Sequence, residues 1–279
     1  MREINAQDIT AVVKKLCMEA NYFLPEDIQD KICKACDNEP WPLAQSILGV
    51  IKENYEISLD KAVPICQDTG MACVFLDIGQ DVHVNGDIAA AVNEGVRRAY
   101  CDGYLRKSVV RHPLDRVNTK DNTPAIVHIK MVPGDTFKID VAPKGGGSEN
   151  MSLVKMLIPA DGIEGIKKLV VDTVFHAGGK PCPPLVVGVG VGGNFEKCAL
   201  LAKEALMREI DDESSDPIAN QLEKDLLTLI NNTGVGAMGF GGTQTCLAVK
   251  VNVHPCHIAS LPVAINIQCH AARHKSCTL

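Results

Sequence analysis

Residues 64–78 read PICQDTGMACVFLDI, and at this stretch the pattern of the chain changes. Before it, apolar residues recur at helical spacing, which predicts helices over residues 8–19, 25–36 and 42–55. The first seven residues of the stretch predict a turn, and a strand pattern over Met71–Ile78 follows. The turn places Cys66, Gln67 and Asp68 side by side. A thiolate beside a carboxylate suits a site where a metal and a proton-transfer group face one substrate.

From residue 61 onward, strands and helices mix without a strict βαβ rhythm. Further strands are predicted at residues 125–132, 136–141, 185–191, 246–253 and 262–267, and helices at residues 87–102, 195–208 and 219–231. We therefore predict an α/β fold with a mixed sheet and a helical N-terminal layer. The acidic run at residues 209–216 is interpreted as an exposed linker.

Composition limits the class of protein. Hydrophobic content of 46% and charged content of 22% are typical of a soluble globular chain. The formal net charge of -6 argues against nucleic acid as a partner. No signal peptide is visible at the start, and no apolar window is long enough to span a membrane. We expect a cytoplasmic protein whose thiols are not paired in disulfides.

Twelve cysteines are a high count for such a chain, and each is either a buried apolar residue or a metal ligand. Seven lie within helix or strand patterns and are interpreted as core thiols: Cys17, Cys33, Cys36, Cys73, Cys101, Cys198 and Cys246. Cys66, Cys182 and Cys269 instead stand beside strand ends or proline-stiffened turns. Their spacing alone does not select these three from the twelve.

Glycine-rich turns offer a different hypothesis. Gly188, Gly190 and Gly193 formally match a dinucleotide-binding fingerprint, although no acid stands at the tip of a second strand about twenty residues later. The alternative explanation of such glycines is tight packing. A nicotinamide-dependent dehydrogenase is therefore kept as a remote alternative.

Four segments together carry a family resemblance. They are ICQDTG at 65–70, KGGGS at 144–148, PCPP at 181–184, and the stretch from His257 through Ser260-Leu261-Pro262 to Cys269. The chain resembles class I iron–sulfur fumarate hydratases and the related L-tartrate dehydratases from about residue 8 to residue 275. The resemblance implies one hydro-lyase catalytic domain over residues 1–279, with a helical part at about 1–60 and an α/β part at about 61–279. It also implies a 4Fe-4S cluster with one open iron, bound by Cys66, Cys182 and Cys269.

The resemblance further implies a set of substrate-site residues. Asp68 and His257 would be catalytic, and Gln67, Arg106 and Gly147 would bind a small dicarboxylate. Asp68 would protonate the departing hydroxyl, and Arg106 would grip a carboxylate in its planar fork. Two ordinary explanations stay open: a surface salt bridge for Arg106 and a satisfied buried position for His257.

Single-chain members of that family continue into a second domain, whereas this sequence stops at Leu279. The expected protein is thus an alpha subunit that interconverts fumarate and L-malate, a tricarboxylic acid cycle reaction, with a separate beta subunit. The alternative substrate is L-tartrate, giving oxaloacetate. A further remote alternative is an iron–sulfur redox module in which Cys256 supplies a fourth ligand.

Overall fold

A computed structural model describes residues 1–279, and the chain divides into two compact units. The first unit comprises Met1–Leu24, Tyr55–Gly146 and Arg273–Leu279, and the second comprises Pro25–Asn54 and Gly147–Ala272. Each unit contains one four-stranded mixed sheet. The predicted α/β class is therefore confirmed. The interpretation of residues 1–279 as one catalytic domain stays a prediction.

The α-helices are α1 (Ala6–Tyr22), α2 (Glu26–Asn38), α3 (Pro42–Lys61), α4 (Ile88–Asp102), α5 (Gly146–Glu149), α6 (Gly162–Ala177), α7 (Phe195–Ala205) and α8 (Pro217–Asn231). The strands are β1 (Arg2–Asn5), β2 (Met71–Gly79), β3 (Val82–Asn85), β4 (Ile126–Val132), β5 (Phe137–Lys144), β6 (Leu153–Leu157), β7 (Leu185–Gly192), β8 (Cys246–His254), β9 (Leu261–Gln268) and β10 (Lys275–Thr278). None of these helices combines the length and the apolar character that a membrane span requires.

In the first unit, the sheet has the order β10-β5-β2-β4. Strand β2 pairs in parallel with β4 and antiparallel with β5. Helices α1 and α4 share an aliphatic core with this sheet that includes Val13, Val96, Val74 and Ile139. Strand β2 is therefore buried and paired on both edges, and this fixes the end of the turn that precedes Met71.

In the second unit, the sheet has the order β6-β9-β7-β8, with β7 parallel to β8 and antiparallel to β9. Gly188 and Gly190 lie inside β7 rather than after it. A Cβ at either position would collide with backbone carbonyls of α7, those of Ala202 and Cys198. These glycines therefore let α7 pack directly on the sheet, and packing accounts for the formal dinucleotide fingerprint.

The acidic run at residues 209–216, predicted to be an exposed linker, connects α7 to α8 within the second unit, and its Glu209, Asp211, Glu213 and Ser215 are exposed. Lys250, a residue only 3% exposed, pairs through its ammonium with the Asp212 carboxylate at 2.8 Å. Arg208 also pairs with Asp212, and Lys31 lies 2.7 Å from Asp211. The hydrogen bond from Lys31 holds the pKa of Asp211 below its usual range. These ion pairs tie the run to the rest of the second unit, which composition alone does not reveal.

Candidate functional site

The turn at residues 66–70, which we call the Asp68 turn, joins α3 to β2 and has two distinct sides. Cys66 and Gln67 are exposed and Asp68 is half-buried, whereas Thr69 and Gly70 are buried. Buried Ile65 immediately precedes the turn, and its amide donates to the carbonyl of Asn21 at 3.0 Å. The reactive side chains thus stand on the open side of a turn whose other side is built into the first unit.

Two fully buried side chains hold the far side of the Asp68 turn. The Tyr100 hydroxyl donates to the carbonyls of Thr69 at 2.6 Å and Gly70 at 3.1 Å. The Asn122 amide donates to the Gly70 carbonyl at 3.1 Å, while its oxygen accepts the backbone amides of Ser108 and Val109. Burial raises the pKa of Tyr100, so the phenol stays neutral and remains a donor.

The Asp68 carboxylate is held by backbone amides at both oxygens. Oδ1 accepts the Gly70 amide at 3.1 Å, and Oδ2 accepts the Gly146 amide at 2.8 Å. Gly70 has a φ of +72°, and a Cβ there would lie 2.7 Å from the Lys144 backbone. The structure therefore brings the predicted turn and the triple-glycine motif together, with glycine required where they meet.

Arg106 is fixed to the same turn through its backbone. The Thr69 hydroxyl donates to the Arg106 carbonyl at 2.8 Å. The Arg106 side chain is exposed and forms no ion pair within the chain. The surface salt bridge that would be its ordinary explanation is absent, so its guanidinium is available for a carboxylate.

Cys182 and Cys269 lie at one end of the sheet of the second unit. Cys182 precedes β7 and Cys269 follows β9, and these antiparallel strands pair Val186 with Gln268. The His270 amide donates to the Cys182 carbonyl at 3.2 Å, which joins the two cysteine segments. Cys182 has a φ of +57°, an uncommon conformation for a residue with a side chain.

Gly147 belongs to this same end of the sheet. It is exposed, and a Cβ there would contact the Lys180 carbonyl at 3.6 Å, two residues before Cys182. The neighbouring Ser148 hydroxyl donates to the Gln268 side chain at 3.4 Å, one residue before Cys269. Three of the predicted site residues, Gly147, Cys182 and Cys269, are therefore gathered within the second unit.

His257 occupies the opposite end of that sheet, on the loop between β8 and β9. It is exposed, so a satisfied buried position was the wrong alternative. Its Nδ1 accepts the Ala259 amide at 3.1 Å, which leaves Nε2 to carry the proton of the neutral ring. Strand β9 has eight residues and so separates His257 from Cys269 by about 26 Å. The structure does not bring His257 to the two cysteines.

Cys256 shares the loop with His257, and its thiol donates to the Ser260 carbonyl at 3.3 Å. The same strand length separates it from Cys182 and Cys269. A redox cluster that uses Cys256 as a fourth ligand beside those two cysteines within one chain is therefore excluded by the topology.

All twelve cysteines are free of disulfides. The interpretation as core thiols is confirmed for Cys17, Cys73, Cys198 and Cys246, whereas it is wrong for Cys101, which is exposed on α4. Cys33 and Cys36 are half-buried. Burial raises the pKa of Cys17 and of Cys246 to about 12, so both remain thiols rather than metal-binding thiolates.

The structure contains no set of three or more His, Cys, Asp or Glu side chains already arranged around a common metal position. The residues implied by the resemblance are nevertheless chemically suited to iron. The Asp68 amide donates to the Cys66 sulfur at 3.4 Å, and such N–H donors stabilise cluster-bound thiolates.

Sequence reasoning missed the side chains that support the Asp68 turn from its buried side: Tyr100, Asn122 and Arg273. Their partners are 31, 52 and 205 residues away in sequence. No local motif marks such residues, because their role exists only after the chain has folded.

Comparisons with known proteins bear on the whole chain. A family model described as fumarate hydratase (fumerase) matches residues 10–278. The chain is 44% identical over 272 residues to the putative L(+)-tartrate dehydratase subunit alpha of Methanocaldococcus jannaschii, covering 95% of each protein. It is 29% identical over 281 residues to the L(+)-tartrate dehydratase subunit alpha of Escherichia coli strain UTI89, covering 98% of this chain and 92% of that protein. The resemblance carried by the four sequence segments is thereby confirmed, and the chain belongs to the fumarate hydratase and tartrate dehydratase alpha-subunit family of hydro-lyases.

Proposed function

We propose that this chain is the alpha subunit of a 4Fe-4S hydro-lyase that interconverts fumarate and L-malate. One observation carries the proposal. The Asp68 carboxylate is held at both oxygens by backbone amides, two residues after the exposed thiol of Cys66. A fixed carboxylate close to a soft metal ligand is the pair of groups that metal-assisted loss of water requires.

Cys66, Cys182 and Cys269 would hold the cluster through three thiolates. When bound, the cluster would supply an open iron as a Lewis acid for the substrate hydroxyl and a carboxylate. The donor set supports this assignment, since Cys66 accepts an N–H at its sulfur and Cys182 and Cys269 share one end of a sheet. The buried thiols of Cys17 and Cys246 are unsuited to the same role because they stay protonated.

Asp68 is assigned the proton transfer at the substrate oxygen. In dehydration it would give a proton to the departing hydroxyl, and in hydration its carboxylate would take one from water. The amides of Gly70 and Gly146 would keep its direction constant in both steps. Arg106, whose guanidinium has no partner within the chain, would hold a substrate carboxylate in a bidentate pair.

Gln67 and Gly147 complete the substrate contacts in the proposal. Gln67 is exposed beside Asp68 and offers both a donor and an acceptor. Gly147 is exposed beside the Cys182 segment and has no side chain to keep a substrate away. The proton on the neighbouring carbon is left to a base of the beta subunit. The names of both relatives, which describe them as alpha subunits, support the existence of such a partner.

The position of His257 limits which active site it can serve. The resemblance implies that it lines the substrate, yet about 26 Å of strand separates it from Cys269. A four-carbon dicarboxylate is much shorter than that distance. We therefore assign His257 to the active site of a neighbouring copy of the chain rather than to its own.

L-tartrate is the second candidate substrate, because both relatives are described as L(+)-tartrate dehydratase alpha subunits, one of them at 44% identity. Tartrate carries one hydroxyl more than malate. A site that hydrogen-bonds this hydroxyl would discriminate strongly against the substrate that lacks it. The groups that would do so include those of the beta subunit.

The proposal is tested on the complex of this chain with its beta subunit, purified without oxygen. We expect about four iron and four acid-labile sulfide atoms per alpha chain, and turnover of L-malate that the alpha chain alone does not support. Absence of iron after anaerobic reconstitution would show that the chain does not hold the cluster. Full turnover by the isolated chain would show that a beta subunit is not required. A kcat/KM for L-tartrate at least about tenfold above that for L-malate would make tartrate the substrate.

A further inference from the structure

Arg273 is a buried cation beneath the Asp68 turn. The residue is only 3% exposed, and its Nη2 donates to the backbone carbonyl of Asp68. Its Nε and Nη1 are buried and have no hydrogen-bond partner in the chain. Tyr100 and Asn122 hold the carbonyls of Thr69 and Gly70, so Arg273 is the residue that holds the peptide of Asp68 itself.

This arrangement is poor for stability. Arginine brings a permanent charge and five N–H donors, and removing them from water with a single hydrogen bond is costly. Apolar residues of similar volume generally fill such positions at least as well. A buried polar group that is left partly unsatisfied in a native fold calls for an explanation other than packing.

The position of the bond supplies that explanation. Asp68 is held at three points: Gly70 and Gly146 at its carboxylate, and Arg273 at its carbonyl. The rigid guanidinium fixes the plane of the peptide that follows Asp68. That plane limits where the Asp68 carboxylate can point. The Gly70 amide, the donor to Oδ1, belongs to the next peptide, which Tyr100 holds through the Thr69 carbonyl.

We propose that Arg273 is a positioning residue, which fixes the Asp68 peptide from the buried side so that the carboxylate keeps its direction towards the open side of the turn. The effect on turnover rests on the proposed function, because it assumes that Asp68 transfers the proton. The effect on the turn itself does not.

The first test measures amide hydrogen exchange in the complex with the beta subunit, for the wild type and for Arg273→Gln and Arg273→Met. Methionine keeps the volume and removes the charge, so it carries the test if the glutamine variant does not fold. We expect the amides of Gly70 and Gly146 to exchange at least about tenfold faster, while those of Val74 and Leu76 in β2 stay unchanged. Unchanged exchange at both glycines, or an equal increase throughout β2, would overturn the proposal.

The second test is a double-mutant cycle on kcat, normalised to iron content, with Asp68→Asn and Arg273→Met. Arg273→Met should lower kcat by about tenfold or more with KM changed by less than about threefold, because Arg273 does not touch substrate. The double variant should be no slower than Asp68→Asn alone. Multiplied losses in the double variant would show that Arg273 acts other than through Asp68.

A matched control is Arg111→Gln, which removes an exposed arginine of the same unit that pairs only with Asp115. Its kcat and its exchange at Gly70 and Gly146 should equal those of the wild type. If Asp68→Asn itself leaves kcat unchanged, the proposed proton transfer fails. The exchange at the two glycines then still decides whether Arg273 fixes the turn.

Discussion

The Asp68 turn and the loop at residues 255–260 each present a cysteine close to a proton-transfer side chain, but they are built differently. The Asp68 turn is anchored by Tyr100, Asn122 and Arg273, which come from distant parts of the chain. Within the loop, the bonds of Cys256, His257 and Ser260 run only to other residues of the same loop. A cysteine and a proton-transfer side chain thus occur once in a turn that distant side chains anchor and once in an exposed loop that bonds mainly to itself.

Of these two regions, the Asp68 turn is the one prepared for catalysis. A catalytic group must be held close to its productive geometry before substrate arrives, and buried second contacts provide this. The Asp68 carboxylate has such contacts at both oxygens, whereas the His257 ring has one short-range bond and solvent around it. Substitutions should therefore have larger effects at the turn than at the loop.

The largest effects are expected at the proposed cluster ligands. Cys66→Ser, Cys182→Ser and Cys269→Ser should each lose most of the iron and with it the turnover, because a hydroxyl is a poor ligand for a cluster that thiolates hold. Iron per alpha chain, measured after anaerobic purification, checks this. Cys36→Ser is the matched control, since Cys36 is half-buried in α2. Iron loss in the control would show that the ligand assignment is wrong.

The next largest effect is expected at the carboxylate itself. Asp68→Asn should keep the iron and lower kcat by about 10²-fold or more, as for loss of a general acid. Steady-state kinetics on iron-normalised complex measure this. Asp115→Asn, which removes an exposed carboxylate paired with Arg111, should leave kcat unchanged. A normal kcat in Asp68→Asn would show that the anchored carboxylate of the turn takes no part in the proton transfer, and the turn would then have no advantage over the loop.

The elements that the sequence predicted are those with strong internal periodicity, such as β2, β7 and α1. The missed strands β1, β3, β6 and β10 have four or five residues each and exist only because a distant strand pairs with them, as Ile4 pairs with Val84. Helix α6 was missed because its Val170, Val171 and Val174 are residues typical of strands. Packing of its buried face overrides that local preference.

The candidate site divides in the same way. The Asp68 turn and the triple-glycine motif were found because each is a local run of unusual residues. Their meeting at the Gly146 amide spans 78 residues, which no local pattern encodes. The separation of His257 from Cys269 follows from the extended strand β9 between them, and the strand pattern over residues 262–267 already implied it. What no local pattern shows is that antiparallel pairing of β9 with β7 brings Cys269 to the same end of the sheet as Cys182.

A smaller effect is expected at Arg106, whose side chain is free at the edge of the anchored turn. Arg106→Gln should raise KM for the dicarboxylate by about 10- to 100-fold, the value of a charge-assisted pair, and change kcat less. Initial-rate kinetics over a wide substrate range separate the two constants. Arg111→Gln, with its guanidinium already paired to Asp115, is the control and should leave KM unchanged. An unchanged KM in Arg106→Gln would show that another residue binds the substrate carboxylate.

The smallest single effect is expected at His257, which is exposed and bound only within its loop. His257→Asn should lower kcat by about five- to tenfold, the value of one lost hydrogen bond.

A mixture of two variant chains gives a sharper measurement of the role of His257. If His257 serves a neighbouring copy, a mixed assembly of Cys66→Ser and His257→Asn chains contains one site in which both residues are intact. Its activity per iron should then exceed that of His257→Asn alone. A mixture of Cys66→Ser with Asp68→Asn is the control and should gain nothing, because both residues belong to the same turn of one chain. No gain in the first mixture, with mixed assembly verified by mass, would confine His257 to its own chain. Because the β9 strand separates it from Cys269 there, that result would also remove it from the active site.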